Sequence, residues 1–441
     1  MISPIVVKKK ITPFNKTITV NGDKSLSIRW ALVASQAIGK SRAYNLLRSS
    51  DVMSTLDCLK KLGIKIKLND RFCEIEGKGL NQFKTKRNIT LNAGNSGTLG
   101  RLILGLLVHH KKKIKIIGDK SLSKRDFSRV ILPLKKFGAK FNFKSNYKLP
   151  IEIYGTDNAQ PIVYNETKGS AQCKSAVMLA ALNTKGKTVI KAKKSRNHTE
   201  ILFKQLKIPI KIKKNKNFDF ININGKKNFS KFNYNIPSDI SSSAFFIVLT
   251  LLSKKSKLTI KNVNINPSRV GIITILKKMG AKIFYKNKKI YMGEKVADIV
   301  IHSSKKINSI NCPQYLNSQA IDEFLLIFLV AAKANGVSYF KGLSELNQKE
   351  SPRLKISSKI LNMMGVKTEL TNSSIKIFGN PGLKIKKKII IKNYLKDHRV
   401  FMMSMIGALS FGNYWKLYDP DSINTSFPSF INLIKMIQKK P

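Results

Sequence analysis

The sequence predicts an α/β (α+β) fold of six similar repeats, grouped three and three into two domains with helices buried inside each group. Three observations predict it: a recurring helix-end motif, a recurring polar start before an apolar run, and short β-rich stretches between the two. The helix-end motif reads LKKLGIKI (Leu59 to Ile66), LKKFGAKF (Leu134 to Phe141), LKKMGAKI (Leu276 to Ile283) and LNMMGVKT (Leu361 to Thr368). Each copy reads as the last turn of an amphipathic helix, a glycine just past it, and alternating residues entering a strand. Gly63, Gly138, Gly280 and Gly365 lie 75, 142 and 85 residues apart, so the middle gap holds two repeats. A weaker fifth copy begins at Leu202 (LFKQLKIPIKI), and a sixth closes the chain at Ile431 to Gln438. Six repeats in 441 residues leave about 73 each. That is too long for solenoid repeats of ~20–50 residues.

The other helix of each repeat opens on a polar residue. Ser25, Asn95, Ser170, Ser238, Ser318 and Asp397 precede apolar stretches such as SAQCKSAVMLAAL and DHRVFMMSMIGAL. Such side chains accept hydrogen bonds from the first unpaired N–H groups of a helix. KTVIKA and KLTIKN then supply a strand leading to the second helix. The longest apolar run, Phe324 to Ala332, falls far short of a ~20-residue membrane span.

Composition narrows the classes. A 42% hydrophobic fraction supports real cores and excludes a disordered chain. With Gly 25, Pro 14 and Cys 4, collagen-like and disulfide scaffolds are excluded. Lys+Arg 82 against Asp+Glu 24 gives a net charge of +58 and a pI near 10.3. Seventy of these cations are lysines spread over the whole length. That spread favours compositional bias over a nucleic-acid-binding face, and the field still draws small anions. Cys58, Cys73, Cys173 and Cys312 form no C-x-x-C pair and read as free thiols of a reducing compartment. The apolar start before Lys8-Lys9-Lys10 has the wrong order for a secretory signal. The expectation is a soluble, cytoplasmic protein.

Helix N-termini offer free N–H groups and a positive dipole end to anions. In a chain this rich in lysine, each arginine is informative, because only its rigid fork matches phosphate or carboxylate. Arg29, Arg101, Arg125, Arg196, Arg353 and Arg399 lie close to helix starts; Arg42, Arg48, Arg71, Arg87, Arg129 and Arg269 do not. Among the scarce carboxylates, Asp322-Glu323 opens an apolar helix and Glu350 neighbours Lys349 and Arg353. A carboxylate facing cations stays ionised and can serve as a base; the plain alternative is an acid complementing a helix dipole. His398 reads as structural, and His109-His110 as a solvated turn. Gly39-Lys40-Ser41 and Gly186-Lys187-Thr188 resemble P-loop endings, but Ala34 and Ala181 stand where the earlier glycine is required.

Taken in order, these segments resemble the 5-enolpyruvylshikimate-3-phosphate synthase (3-phosphoshikimate 1-carboxyvinyltransferase) family over essentially the whole chain. GDKSLSIR resembles its K-S-x-S-x-R start (Lys24, Ser25, Arg29), and GNSGTLGRL its phosphoenolpyruvate loop (Gly97). GDKSLSKRD carries Arg125, although Asp126 replaces the family's usual proline. SAQCK (Ser170, Ala171, Gln172, Lys174) with SRNHTE (Ser195, Arg196, His198) is similar to the class II branch, as is TSFP at Thr425 to Pro428. AIDE, QKESPRL and DHR supply Asp322; Lys349, Glu350 and Arg353; and His398 and Arg399, with Pro352 as a second departure.

The resemblance implies a two-domain inside-out barrel of six βαβαββ units. Residues 1–20 plus 236–441 would form a discontinuous domain and residues 21–235 an inserted one. Crossings would fall near Asn21 and Asn235, with the active site in the interdomain cleft. It implies transfer of the enolpyruvyl group of phosphoenolpyruvate to the 5-hydroxyl of shikimate 3-phosphate. Asp322 would be the proton acceptor, with Lys24 and Glu350 sharing proton transfer. Lys24, Gly97, Arg125, Gln172, Arg353 and Arg399 would hold phosphoenolpyruvate. Lys24, Ser25, Arg29, Ser170, Ala171, Gln172, Ser195, Arg196, Asp322 and Lys349 would hold shikimate 3-phosphate. It implies no metal or organic cofactor, no specific nucleic acid, no membrane and a monomer. Two rivals remain: an enolpyruvyl transferase acting on UDP-N-acetylglucosamine, and a basic nucleic-acid-binding protein. The first uses a cysteine in a loop corresponding to Gly118 to Arg125, which has none here.

Overall fold

Left-handed backbone ends the second helix of four repeats in the computed structural model. Gly63, Gly138, Gly280 and Gly365 have φ of 84°, 107°, 92° and 84°, a region where a Cβ is strained and glycine is not. In the fifth copy Lys207 takes the same place at φ 54° without a glycine. The structure describes residues 3–85 and 88–439, so Arg87 of the twelve arginines lies outside them. The chain divides into an inserted unit, residues 22–236 with 292–294, and a discontinuous unit, residues 3–21, 237–291 and 295–439. Besides crossings at 21/22 and 236/237, it therefore crosses on either side of 292–294, which the repeat pattern did not foretell.

The inserted unit contains α1 (Lys24–Ala34), α2 (Ser50–Lys61), α3 (Gly97–Leu107), α4 (Ser128–Lys136), α5 (Ala171–Asn183) and α6 (His198–Gln205). α1, α3 and α5 are apolar and buried on nearly every face, as a helix without a polar stripe must be. Three four-stranded sheets flank them. In one, Ile89–Asn92 runs parallel to Ile114–Ile117, which pairs antiparallel with Ile151–Tyr154, itself antiparallel to Lys140–Phe143. The other two sheets repeat this order. The parallel edge strand of the first repeat is Asn233–Asn235, from the far end of the unit. Strands such as Lys187–Lys193 alternate buried and exposed residues, so one sheet face meets the helices and the other meets water.

The discontinuous unit contains α7 (Ile240–Leu252), α8 (Gly271–Lys278), α9 (Asn317–Ala320), α10 (Phe324–Ala332), α11 (Arg353–Met363), α12 (His398–Phe411) and α13 (Phe430–Gln438). Its buried helices are α7, α10 and α12. The N-terminal strand Asn15–Thr19 lies parallel to Lys257–Asn264 and completes the fourth repeat. The opening strand of the fifth repeat is reduced to isolated parallel bridges, Asn308 to Asn335 and Asn311 to Tyr339. Both units thus carry helices inside and sheets outside, a two-domain inside-out α/β fold. Each fully buried Leu or Phe in α10 contributes about 1.5–3 kcal/mol. That is why a nine-residue helix with no side-chain cap persists.

Several expectations need correction. α1 is capped by Asp23, whose carboxylate accepts from Leu26 N at 2.9 Å, so Ser25 lies within the first turn. α3 is capped by Ser96 instead of Asn95, and α7 by Asp239 instead of Ser238. In each case two nearby polar side chains compete, and the one whose oxygen reaches the N–H groups of the first turn wins. Ser170 and Asp397 cap α5 and α12 as read. Ser318 opens no long helix: it lies in four-residue α9, and the chain bends by 119° before α10. His109 and His110 are not a solvated turn; they are 5% and 9% exposed. His109 Nε2 lies 3.1 Å from Thr184 Oγ1 and His110 Nε2 2.9 Å from Thr85 Oγ1. Burial lowers both imidazoles below their ordinary pKa. Among the described residues, no single helix is long and apolar enough to cross a membrane.

Candidate active site

In the inserted unit the predicted residues gather at the N-terminal ends of α1, α3, α5 and α6. Lys24 Nζ donates to Asp51 Oδ2 at 2.8 Å, from the first turn of α2. Arg29 is 5% exposed. Its Nη1 donates to Ser25 O at 3.1 Å, its Nε to Thr199 Oγ1 at 3.0 Å and its Nη2 to Ser175 Oγ at 3.3 Å. The guanidinium is thereby fixed in rotamer while remaining a cation. Arg101 Nη1 donates to Gly97 O and to Gln172 Oε1, both at 3.1 Å, and Gln172 Nε2 donates to Thr98 Oγ1 at 3.1 Å. Burial lowers the Arg101 guanidinium to about 10, with Arg125 and Arg129 adding to the effect; it still carries its charge at neutral pH. A Cβ built on Gly97 would fall 3.0 Å from Arg125 Nη1, so Gly97, Arg125 and Gln172 share one locality. Ser170 and Ala171 begin α5. Ser195 Oγ is buried with no hydrogen-bond partner among the described residues, an unusual state for a hydroxyl.

In the discontinuous unit the bend between α9 and α10 presents Asp322 to three cations. Its Oδ1 lies 3.6 Å from Arg353 Nη1 and 3.9 Å from Lys349 Nζ, and its Oδ2 lies 3.9 Å from Arg399 Nη2. Arg399 Nη1 also donates to Asp322 O at 2.9 Å. Arg353, 1% exposed, donates from Nε and Nη2 to the two oxygens of Asp397 at 2.8 and 3.2 Å, and it contacts Glu350. Burial works against the Arg353 charge, yet Asp397, Glu350 and Asp322 together raise its pKa above the ordinary arginine value. Burial likewise opposes ionisation of Asp397, and the Arg353 charge outweighs it and lowers the carboxyl pKa. Lys349 is still 27% exposed, but desolvation lowers its ammonium pKa against the pull of Asp322. Glu323, directly after Asp322, accepts from Ser241, which in turn accepts from Arg269 Nη2 at 2.9 Å.

The two departures from the family pattern have local explanations. Asp126 accepts from Ser128 N and Oγ at 2.7 Å each, and so tethers the start of α4. Pro352 precedes α11 at its cap, where a missing N–H costs little. Asp51, Ser175 and Thr199 hold predicted site residues that sequence reasoning does not link to them, and Glu323, read only beside Asp322, lies 3.9 Å from Arg399 Nη1. Only the acids left a trace in the sequence, through the scarcity of carboxylates.

Buried helices inside sheets, with arginine forks and one carboxylate at helix starts, fit the enolpyruvyl transferase class of fold. The chain resembles, for its fold alone, the enolpyruvyl transferase NikO from Streptomyces tendae (TM-score 0.75, 12% identity, 99% of this chain and 97% of that one). It matches the family described as EPSP synthase (3-phosphoshikimate 1-carboxyvinyltransferase) over residues 8–434. It is 39% identical to the 3-phosphoshikimate 1-carboxyvinyltransferase of Ruthia magnifica subsp. Calyptogena magnifica, over 98% of this chain and 97% of that one. The Petrotoga mobilis protein of that name is 37% identical over 98% and 100%. The EPSP synthase structure from Acinetobacter baumannii superposes with a TM-score of 0.86 at 31% identity, covering 99% and 98%. The chain belongs to the EPSP synthase family.

Proposed function

We propose that this protein moves the enolpyruvyl group of phosphoenolpyruvate onto the 5-hydroxyl of shikimate 3-phosphate, releasing phosphate. The product feeds chorismate and aromatic amino acid biosynthesis. The observation that carries the reading is the Asp322 carboxylate facing Lys349, Arg353 and Arg399: a proton acceptor among groups suited to anionic substrates. In the addition, the hydroxyl oxygen bonds to the substituted carbon of the enol while Asp322 takes the hydroxyl proton. A proton delivered to the methylene carbon, with Lys24 and Glu350 sharing that transfer, gives a tetrahedral intermediate. Elimination removes a proton from the new methyl group and expels phosphate, restoring the double bond. Lys24, Gly97, Arg125, Gln172, Arg353 and Arg399 serve phosphoenolpyruvate. Lys24, Ser25, Arg29, Ser170, Ala171, Gln172, Ser195, Arg196, Asp322 and Lys349 serve shikimate 3-phosphate. The unpartnered Ser195 hydroxyl supports a phosphate acceptor there. We place the protein in the cytoplasm as a monomer, consistent with four free thiols.

The test is phosphate release measured with each substrate alone, with both, and with UDP-N-acetylglucosamine in place of shikimate 3-phosphate. Release should require both proposed substrates, and Asp322→Ala should lower it by about 10²–10⁴. Release with the UDP-sugar instead, or an Asp322→Ala protein as active as the parent, overturns the reading.

A further inference from the structure

The first turn of α6 is held from three directions. Thr199 Oγ1 accepts from Arg29 Nε and lies 2.7 Å from Ser175 Oγ. Glu200 pairs with Lys174 at 2.5 Å, both nearly inaccessible. His198, the first residue of the helix, has Nδ1 2.7 Å from Glu294 Oε1. In the tautomer that satisfies both groups, the imidazole Nδ1–H donates to the carboxylate. These bonds matter because α6 is short, eight residues, and Asn197 at its cap makes no side-chain capping bond.

Glu294 reaches this place from 96 residues further along the chain. It ends the turn between strands Ile283–Tyr291 and Glu294–His302, and residues 292–294 belong to the inserted unit. The His198 ring and the Glu294 side chain are 0% and 1% exposed. The turn is fitted to the helix. Gly293 has φ 76°, and a Cβ there would fall 2.7 Å from Ile201 Cγ2. A carboxylate buried this far from water is costly unless its partner is in place. In a chain with only 24 acids, this one is spent on the first residue of α6.

We propose that Glu294 is a positioning residue for shikimate 3-phosphate. Through His198 it fixes the segment carrying Ser195 and Arg196, which are separated from α6 by two residues and one residue of loop respectively. The inference rests on the reaction proposed above. It adds a residue outside every motif of the resemblance, supplied by a turn that re-enters the unit. Gly97 and Gln172 are held through Arg101 and Thr98, on elements apart from this turn, so recognition of phosphoenolpyruvate should not depend on it.

The experiment is steady-state phosphate release in Glu294→Ala, Glu294→Gln and Gly293→Ala, with each substrate varied in turn. Glu294→Ala should raise the KM for shikimate 3-phosphate roughly tenfold, since the lost bond leaves a buried donor unpaired. The KM for phosphoenolpyruvate should stay within about twofold, as a local change predicts. Glu294→Gln, which can still accept from His198, should recover most of the loss. Gly293→Ala displaces the turn without removing the carboxylate, and should show the same split if Glu294→Ala fails to fold. Equal rises in both KM values, or an unchanged KM for shikimate 3-phosphate in folded Glu294→Ala and Gly293→Ala, would overturn the pin alone. Absence of turnover in the parent protein would overturn the reaction, and with it the substrate assigned to the pin.

Discussion

Arg353→Met is the substitution whose consequences the structure defines most closely. The guanidinium is 1% exposed and its main partner, Asp397, is 0% exposed. Two hydrogen bonds at 2.8 and 3.2 Å join them, with Glu350 and Asp322 on the same fork. Methionine preserves the stem and removes the charge, leaving a buried carboxylate unpaired, which costs about 3–5 kcal/mol. At a urea slope of ~2–3 kcal/mol/M, the midpoint should fall by roughly 1–2 M. The two tryptophans allow the affected unit to be watched alone: Trp30 lies in α1 and Trp415 in the discontinuous unit. In a Trp30→Phe background, Trp415 fluorescence reports that unit's transition. The pH dependence carries the sign. In the parent, Asp397 has a depressed pKa, so its stabilisation is present above the unfolded carboxyl pKa and is lost only as pH falls through the lower folded value. Without Arg353, burial and Glu350 both push that pKa up, against His398 and the hydrogen bonds from Ser351 Oγ and Arg399 N. The variant's penalty should therefore shrink as pH falls from 8 to 5. A loss below about 1 kcal/mol at pH 7.5, or a gap that widens on acidification, would refute the reasoning.

Three further outcomes follow from single positions. Gly97→Ala would put a Cβ 2.8 Å from Arg101 Nη1 and 3.0 Å from Arg125 Nη1. Both atoms are ends of flexible chains, so unfolding midpoints should hold while the KM for phosphoenolpyruvate rises by roughly tenfold; kinetics showing no change would contradict the placement. Lys207→Gly should stabilise the inserted unit by up to about 1 kcal/mol in urea denaturation, because φ 54° strains any Cβ there. Burial pushes the Cys58 and Cys73 thiols up to about 12 and Cys312 up to about 11. A thiol-reactive disulfide reagent at pH 8 should therefore find almost no thiol in the folded protein and four after denaturation.

The repeat was legible because backbone stereochemistry writes it into residue type. A helix stopping in the left-handed region selects glycine, and four glycines at matching places mark four repeats. Lys207 shows the limit: the same conformation occurs without the residue that announces it, which is why the fifth copy reads weakly. Cap positions slipped by one or two residues where Asp23 competes with Ser25 or Ser96 with Asn95, since spacing alone does not say which oxygen reaches the amide. The bend before α10 was illegible for a different reason. SQAIDEFLLIFLVAA has no proline or glycine to mark a break, and the turn at Asp322 is set by packing instead.

Site residues divide along the same line. Arg29, Arg353 and Arg399 could be picked out because arginine is rare in this chain and its chemistry is specific. Their supports could not, because a hydrogen bond between Arg29 and Thr199 spans 170 residues and needs only a hydroxyl at the far end. Serine and threonine at helix starts are common, so nothing local distinguishes Thr199 or Ser175 from a cap. Carboxylates are the exception. The buried Asp51, Asp397 and Glu323 each face a cation. In a strongly basic protein the informative question is which cations have been given an acid. Lys24, Lys174, Arg353 and Arg399 have, and all four lie in the first turn of a helix, where an anion's charge would also be welcome. The acid holds the cation's position and shares its charge, so a bound phosphate must compete with it. Ligand binding at Arg353 should then be weaker, but geometrically stricter, than at a lysine free in solvent.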